Sequence, residues 1–145
     1  MTVTRVIADL DCPQCGDRAE PAVIETALGP IDTPLTLHVG ERAEGIDWGT
    51  VRAYYPVLRE PAEGEPVRLI ESWWCGGRRW VELTLADDTV AGARDVPLNR
   101  ATVGAANAIT DEVGAEYYAA TGRSLGDLHG GATGFRDRLL AALPD

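Results

Sequence analysis

The sequence predicts a single α+β domain with a mainly antiparallel β-sheet core, followed by a helical C-terminal segment. In residues 1–98, short runs rich in β-branched and aromatic residues are separated by Gly, Pro, Asn and Asp, which is typical of strands and turns. From residue 99 onward, alanine-rich stretches begin at helix-capping residues and end at Gly or Pro. The length of 145 residues fits one domain, which we divide into a β-rich core (1–98) and a helical tail (99–145).

Seven segments of the core are predicted strands because they combine β-forming residues with turn residues at their ends. Pro56 restricts the end of the fourth segment to a sheet edge. The fifth and sixth segments flank Cys-Gly-Gly and together predict a β-hairpin. The predicted strands are residues 3–10, 21–27, 34–40, 50–58, 66–74, 78–86 and 89–96.

The register of this hairpin has two candidate solutions. A two-residue loop pairs Trp73 with Trp80 but sets Glu71 opposite Glu82, which is unfavourable for like charges. A three-residue loop pairs Trp74 with Trp80 and avoids this clash, so it is the preferred prediction.

The tail is predicted to contain three helices, each preceded by a residue whose side chain can cap the first turn: Asn99, Thr110 and Thr133. The glycine-rich segment 122–134 between the second and third helices is a predicted mobile loop. The predicted helices are residues 101–109, 111–121 and 134–143.

The charge of the chain argues against two classes of partner. There are 23 acidic and 13 basic residues, all of the latter arginine, which gives a net charge of −10. Binding to nucleic acid or to an anionic membrane requires basic groups that neutralise phosphates, so both are disfavoured. The sequence shows neither a long apolar run nor a signal peptide, and the expected location is the cytoplasm.

Residues 11–16, DCPQCG, have the spacing of half a tetrahedral metal site. Thiolates at Cys12 and Cys15 can reach one ion across a tight turn, and the following Gly16 can adopt the positive φ that such a turn needs. This stretch resembles the knuckles of the zinc-ribbon and rubredoxin-like families, which carry two such turns on two hairpins. The resemblance implies that the second turn is Ser72–Gly76, SWWCG, with Ser72 in place of one cysteine.

Three interpretations of the cysteines remain open. In the first, zinc is bound by Cys12, Cys15, Cys75 and a fourth group, which could be His38, Asp11 or water. In the second, the site is a relic and the cysteines only pack as small hydrophobic residues. In the third, Cys12 and Cys15 form a redox pair, although the five residues that follow the motif are too few for the helix that such a pair normally opens.

Five residues around the hairpin turn form a candidate contact surface for a partner protein, because tryptophan and arginine dominate interface energetics. The alternative is structural: one tryptophan faces the core and the other covers the core from outside. The five residues are Trp73, Trp74, Arg78, Arg79 and Trp80.

The two histidines suggest weaker hypotheses. His38 lies in an alternating strand pattern, where a half-buried structural histidine is more common than a metal ligand. Asp127 and His129 in the glycine-rich segment could form an oriented general base, but no nucleophile motif accompanies them.

These observations favour a non-catalytic protein-interaction or structural subunit or adaptor, built on a degenerate zinc-ribbon-like core, whose partner is a protein or a larger assembly. One alternative is a small enzyme that uses the Asp127/His129 segment. The other is a regulator associated with nucleic acid through its zinc ribbon, which the negative charge disfavours.

Overall fold

The computed structural model describes residues 3–11, 20–30, 32–124 and 134–145. Within these ranges the chain forms two β-sheets and several short helices. In chain order the elements are β1 (Thr4–Ala8), β2 (Ala22–Thr26), β3 (Thr36–His38), α1 (Trp48–Tyr54), β4 (Val67–Trp74), β5 (Arg78–Ala86), β6 (Thr89–Val96), α2 (Arg100–Ala105), β7 (Ala108–Ile109), a 3₁₀ turn (Asp111–Val113), α3 (Gly114–Thr121) and α4 (Phe135–Ala142).

The first sheet has the order β2-β1-β3 and the second has the order β6-β5-β4-β7. Strands β1 and β2 are antiparallel, as are β4, β5 and β6, whereas β3 and β7 pair in parallel. The predicted α+β class with a mainly antiparallel core is therefore confirmed.

The second sheet is buried on both faces, so the molecule has three layers. One face packs against the first sheet, for example Leu69 and Leu83 with Val6 and Ile24. The other face carries Ile70, Trp80 and Ile109 and is covered by α2, α3 and α4. Burial on both faces explains why β4 and β5 read as nearly continuous apolar runs rather than as alternating strands.

The predicted strand at residues 50–58 is wrong, because residues 48–54 form helix α1. Asp47 caps this helix, and its Oδ1 accepts a hydrogen bond from the Thr50 N–H at 2.9 Å. Val51 and Tyr55 then lie one helical turn apart and both pack into the core between the sheets. The cap and this four-residue spacing outweigh the β-propensity of the individual side chains.

The predicted helix at residues 101–109 is too long. Asn99 caps it as expected, bonding the Thr102 N–H at 2.9 Å, but the helix ends at Ala105 and β7 follows. Asn107 causes the change: its side-chain oxygen accepts from the Arg68 N–H at 2.8 Å and ties the chain to the edge of β4.

The second predicted helix is confirmed in position. Thr110 caps the 3₁₀ turn that leads into α3, and α3 ends at Gly122 in the left-handed conformation. The third is observed as α4, and its predicted cap Thr133 lies outside the described residues, as does most of the predicted loop 122–134.

Both predicted hairpin registers are wrong. The loop has three residues, Cys75–Gly77, and Trp80 pairs with Ser72 rather than with either preceding tryptophan. This register places Glu71 opposite Val81 and so avoids the clash of carboxylates. It also sends Trp73 into the core between the sheets and Trp80 towards the helices.

The two sheets are joined along one side by backbone hydrogen bonds. The Gly40 N–H donates to the Val90 carbonyl at 2.7 Å, and the Ala43 N–H donates to the Asp88 carbonyl at 2.9 Å. On the opposite side β2 and β4 lie near each other, and no described backbone hydrogen bond joins these two strands. The candidate site lies along this unjoined side.

Candidate functional site

A groove with a volume of about 440 Å³ lies between β2 and the C-terminal half of β4. Its walls come from both strands and from the 3₁₀ turn that follows β7. The lining residues are Glu20, Pro21, Val23, Glu25, Ser72, Trp73, Trp74 and Glu112.

The outer edge of β2 faces this groove. In β1 the backbone of Arg5 points towards the β3 side, since its N–H donates to the Leu35 carbonyl at 2.9 Å. Successive residues of a strand direct their backbone groups to opposite edges. The backbone groups of the even-numbered residues of β1 therefore point towards β2, and those of their partners in β2 point towards β1. The backbone groups of Val23 and Glu25 therefore point away from β1, towards the groove.

Beyond the end of β7, the edge of β4 also has no neighbouring strand among the described residues. The Thr110 N–H donates to the Ile70 carbonyl at 2.8 Å, which puts the backbone groups of even-numbered β4 residues on the outer edge. The Ser72 N–H on this edge is bonded by the neighbouring Glu71 carboxylate at 3.1 Å. Trp74 is the next residue whose backbone groups face outward.

Tyr55 closes one end of the gap between the strands. Its hydroxyl accepts a hydrogen bond from the Ala27 N–H, just after β2, at 2.8 Å and donates to Glu71 Oε2 on β4 at 2.6 Å. A side chain thus replaces the backbone ladder at this point and links the two sheets. A smaller cavity of about 210 Å³ lies beside this bridge.

Glu71 is 4% exposed, so its carboxyl is inside the protein. Burial raises its pKa to about 7, although the hydrogen bonds from Tyr55 and from the Ser72 N–H act in the opposite direction. Burial also raises the pKa of the Tyr55 hydroxyl, and the nearby Glu71 charge adds to this rise. The sequence signal for this pair is a single acidic residue, Glu71, inside the apolar run VRLIESWW, which above enters only the choice of hairpin register.

Trp74 and Arg78 form the exposed part of the predicted contact surface. Trp74 is 62% exposed, and the guanidinium carbon of Arg78 lies 5.3 Å from the centre of its ring. Arg78 is held in turn by Glu112, whose backbone carbonyl accepts from Nη1 at 3.2 Å and whose carboxylate lies 3.8 Å from Nη2. We refer to these two stacked side chains as the Trp74–Arg78 stack.

The other three predicted contact residues pack or form hydrogen bonds within the protein. Trp73 is 2% exposed, and its indole N–H donates to Asp95 Oδ1 at 3.1 Å. Arg79 makes two bonds to the Asp95 carboxylate, at 2.9 and 2.6 Å, and lies over the Trp73 ring. Trp80 is buried in the helical layer. One tryptophan of the Trp73-Trp74 pair thus faces the core and the other faces outward.

The residues of the predicted metal site are described only in part. Cys75 lies half-buried in the hairpin turn, and Gly76 after it has a φ of +70°, as the knuckle resemblance implies. The hydroxyl of Ser72, which stands in a ligand position, donates to the Glu112 carboxylate instead. Cys12 and Cys15 lie outside the described residues.

His38 is exposed at the end of β3 rather than half-buried. Its Nδ1 lies 2.7 Å from Glu41 Oε1, a contact that would leave Nε2 to face a metal, as in many carboxylate–histidine–metal arrangements. Among the residues that the structure describes, no three His, Cys, Asp or Glu side chains are grouped to hold a metal ion. The zinc site therefore stays a prediction.

The alternative catalytic pair, Asp127 and His129, lies outside the described residues.

No family model matches the chain, and comparison with curated proteins and with solved structures finds no match. None of the described helices has the length and apolar character needed to span a membrane.

Proposed function

We propose that the chain is a non-catalytic protein-interaction module, a structural subunit or adaptor, that contacts a partner protein through the Trp74–Arg78 stack. The observation that carries the proposal is a large aromatic ring that is mostly exposed and yet fixed in place by an arginine. Such a ring loses little conformational entropy on binding, because its orientation is already set.

The surroundings of the stack support a contact of this kind. Tryptophan and arginine are the residues most enriched at the energetic centres of protein interfaces. Val23, which is also exposed, lies on the other wall of the same groove and adds apolar area. The net charge of −10 favours a protein partner in the cytoplasm over nucleic acid.

The test compares partner capture by the wild type with capture by a Trp74→Ala variant, in lysate of the source organism, by quantitative mass spectrometry. We expect Trp74→Ala to remove the specific partner, since truncating a central aromatic residue costs about 2 kcal/mol or more, which is roughly a thirtyfold loss of affinity. Tyr118→Ala is the matched control, because Tyr118 is also 62% exposed but lies on α3. Equal capture by all three proteins would contradict the proposal.

We also propose that zinc, bound by Cys12, Cys15, Cys75 and a fourth group, which could be His38, Asp11 or water, is a structural cofactor of this module. We expect about one zinc per chain in protein purified without chelator, and its loss in Cys12→Ser, because three thiolates and one nitrogen or oxygen ligand complete a tetrahedral site. Metal content measured by mass spectrometry checks this. Absence of metal from the wild type would instead mean that DCPQCG is a relic turn.

A further inference from the structure

We propose that the partner docks as an extended basic segment that adds as a strand to the outer edge of β2, beside the Trp74–Arg78 stack. This inference rests on the proposed function, because it specifies how the partner meets the same surface. Addition of a strand to an exposed sheet edge is a recurring mode of peptide recognition, in which main-chain hydrogen bonds supply affinity and side-chain pockets supply specificity.

The first observation that supports strand addition is that β2 has free backbone groups on its outer edge. Val23 and Glu25 direct their N–H and C=O groups into the groove, and these groups make no hydrogen bond to the described part of the chain. An unpaired edge of this kind is a template for another strand. The edge of β4 is less suited, because Glu71 already occupies the Ser72 N–H.

The free stretch of β2 is limited at both ends. Pro21 has no N–H to donate, and the Ala27 N–H is taken by the Tyr55 hydroxyl. A docked strand can therefore pair only with the short stretch around residues 23–25. The partner segment is correspondingly short, and side-chain contacts with Val23 and Trp74 are needed for affinity.

The negative charge of the groove favours a basic partner segment. Three of its eight lining residues are glutamates, Glu20, Glu25 and Glu112. Glu112 is partly offset by Arg78, whereas the nearest cation to Glu25 in the described ion pairs is Arg5, at 4.0 Å and well exposed. Lysine or arginine at alternate positions of the docked strand would face these carboxylates while intervening apolar side chains lie against Trp74. A second copy of this chain, also with net charge −10, would be repelled.

The test selects short random peptides displayed on phage against the immobilised full-length chain and measures the winners by fluorescence anisotropy. We expect proline-free peptides with Lys or Arg at alternate positions. Methylation of a single pairing amide in the peptide should weaken binding about two- to tenfold, the value of one net hydrogen bond. Glu25→Gln should weaken binding about two- to fivefold, while Glu63→Gln, in an exposed loop, should leave it unchanged.

The edge itself is probed by comparing Val23→Pro, which removes an outward N–H, with Val23→Ala, which keeps it. Weaker binding to the folded proline variant supports the proposal. The methylated peptides give the same information if that variant does not fold. Failure to enrich any peptide, enrichment of acidic or proline-rich peptides, or indifference to methylation at every position overturns strand addition.

These outcomes are separable from failure of the proposed function. If Trp74→Ala abolishes partner capture but amide methylation has no effect on the peptides, the contact surface stands and strand addition fails. If the peptides require the β2 edge but bind Trp74→Ala with the same affinity as wild type, strand addition stands. The Trp74–Arg78 stack is then not the energetic centre of the interface.

Discussion

Glu71 places a carboxyl inside a strand that is otherwise mostly apolar, where two neighbours bond it. The Tyr55 hydroxyl and the Ser72 N–H donate to its oxygens. Burial of this kind costs free energy when the group is charged, and the hydrogen bonds recover only part of it. The residue links β4 to β2 through Tyr55, so its protonation bears directly on the gap between the sheets.

The stability of the fold should therefore depend on the protonation of Glu71. Burial raises its pKa from the usual 4.5 to about 7, so between these pH values the folded state binds the proton more tightly than the unfolded state. Its contribution to the free energy of unfolding falls as pH rises through this window. We expect Glu71→Gln to gain about 3 kcal/mol relative to wild type between about pH 4 and pH 8.

Urea unfolding at a series of pH values measures this difference. Glu63→Gln, which changes an exposed carboxyl, serves as the control. Parallel pH profiles for wild type and Glu71→Gln would show that the Glu71 carboxyl titrates normally in the folded protein.

At the scale of the element, the β4–β5 hairpin fixes the geometry of the Trp74–Arg78 stack. Its three-residue loop requires one residue in the left-handed conformation, and Gly76 has a φ of +70°. The resulting register pairs Trp74 with Arg78 directly across the hairpin, which is why these two side chains stack. A register one residue longer or shorter would separate them.

Two neighbouring glycines allow a matched test of this turn. An added Cβ would meet open space at both Gly76 and Gly77, but only Gly76 has a positive φ. We expect Gly76→Ala to lower the free energy of unfolding by about 1 kcal/mol, because an L-residue is strained there. Gly77→Ala should be about neutral or slightly stabilising. Chemical denaturation of both variants measures this, and equal losses would mean that φ is not the cause.

At the scale of the whole molecule, two sheets share one core but are joined by backbone bonds on one side only. On that side, residues 40–43 form hydrogen bonds with residues 88–90. On the other side, the hydrogen bonds that link the sheets within the described residues run through the Tyr55 hydroxyl. The helices α2, α3 and α4 cover the outer face of the second sheet and leave the groove uncovered by any described helix. The open side is thus where a partner can reach backbone groups.

Amide hydrogen exchange followed by NMR should map this asymmetry. We expect the Val23 and Glu25 amides to exchange fast, since their N–H groups point into the groove. The Ala27 amide should be protected by Tyr55, and the amides of residues 81–83 in the central strand β5 should exchange only on global unfolding. Protection of Val23 and Glu25 equal to that of β5 would show that another part of the chain covers this edge.

The sequence by itself determined the class of fold, the positions of six of the seven predicted strands and the caps Asn99 and Thr110. These features depend on local chemistry: β-branched runs, turn residues and side chains that bond the first turn of a helix. The sequence also indicated that one of Trp73 and Trp74 faces outward, because adjacent residues of a strand lie on opposite faces.

Only the tertiary structure decided the hairpin register and the conversion of Ala108–Ile109 into a strand. The register depends on where Glu71 is placed relative to β5, and the short strand depends on the bonds from Asn107 to residues far away in the chain. The Tyr55–Glu71 bridge and the open β2 edge likewise arise from contacts between distant segments. Local patterns do not encode such contacts, because their energy is realised only when the layers pack together.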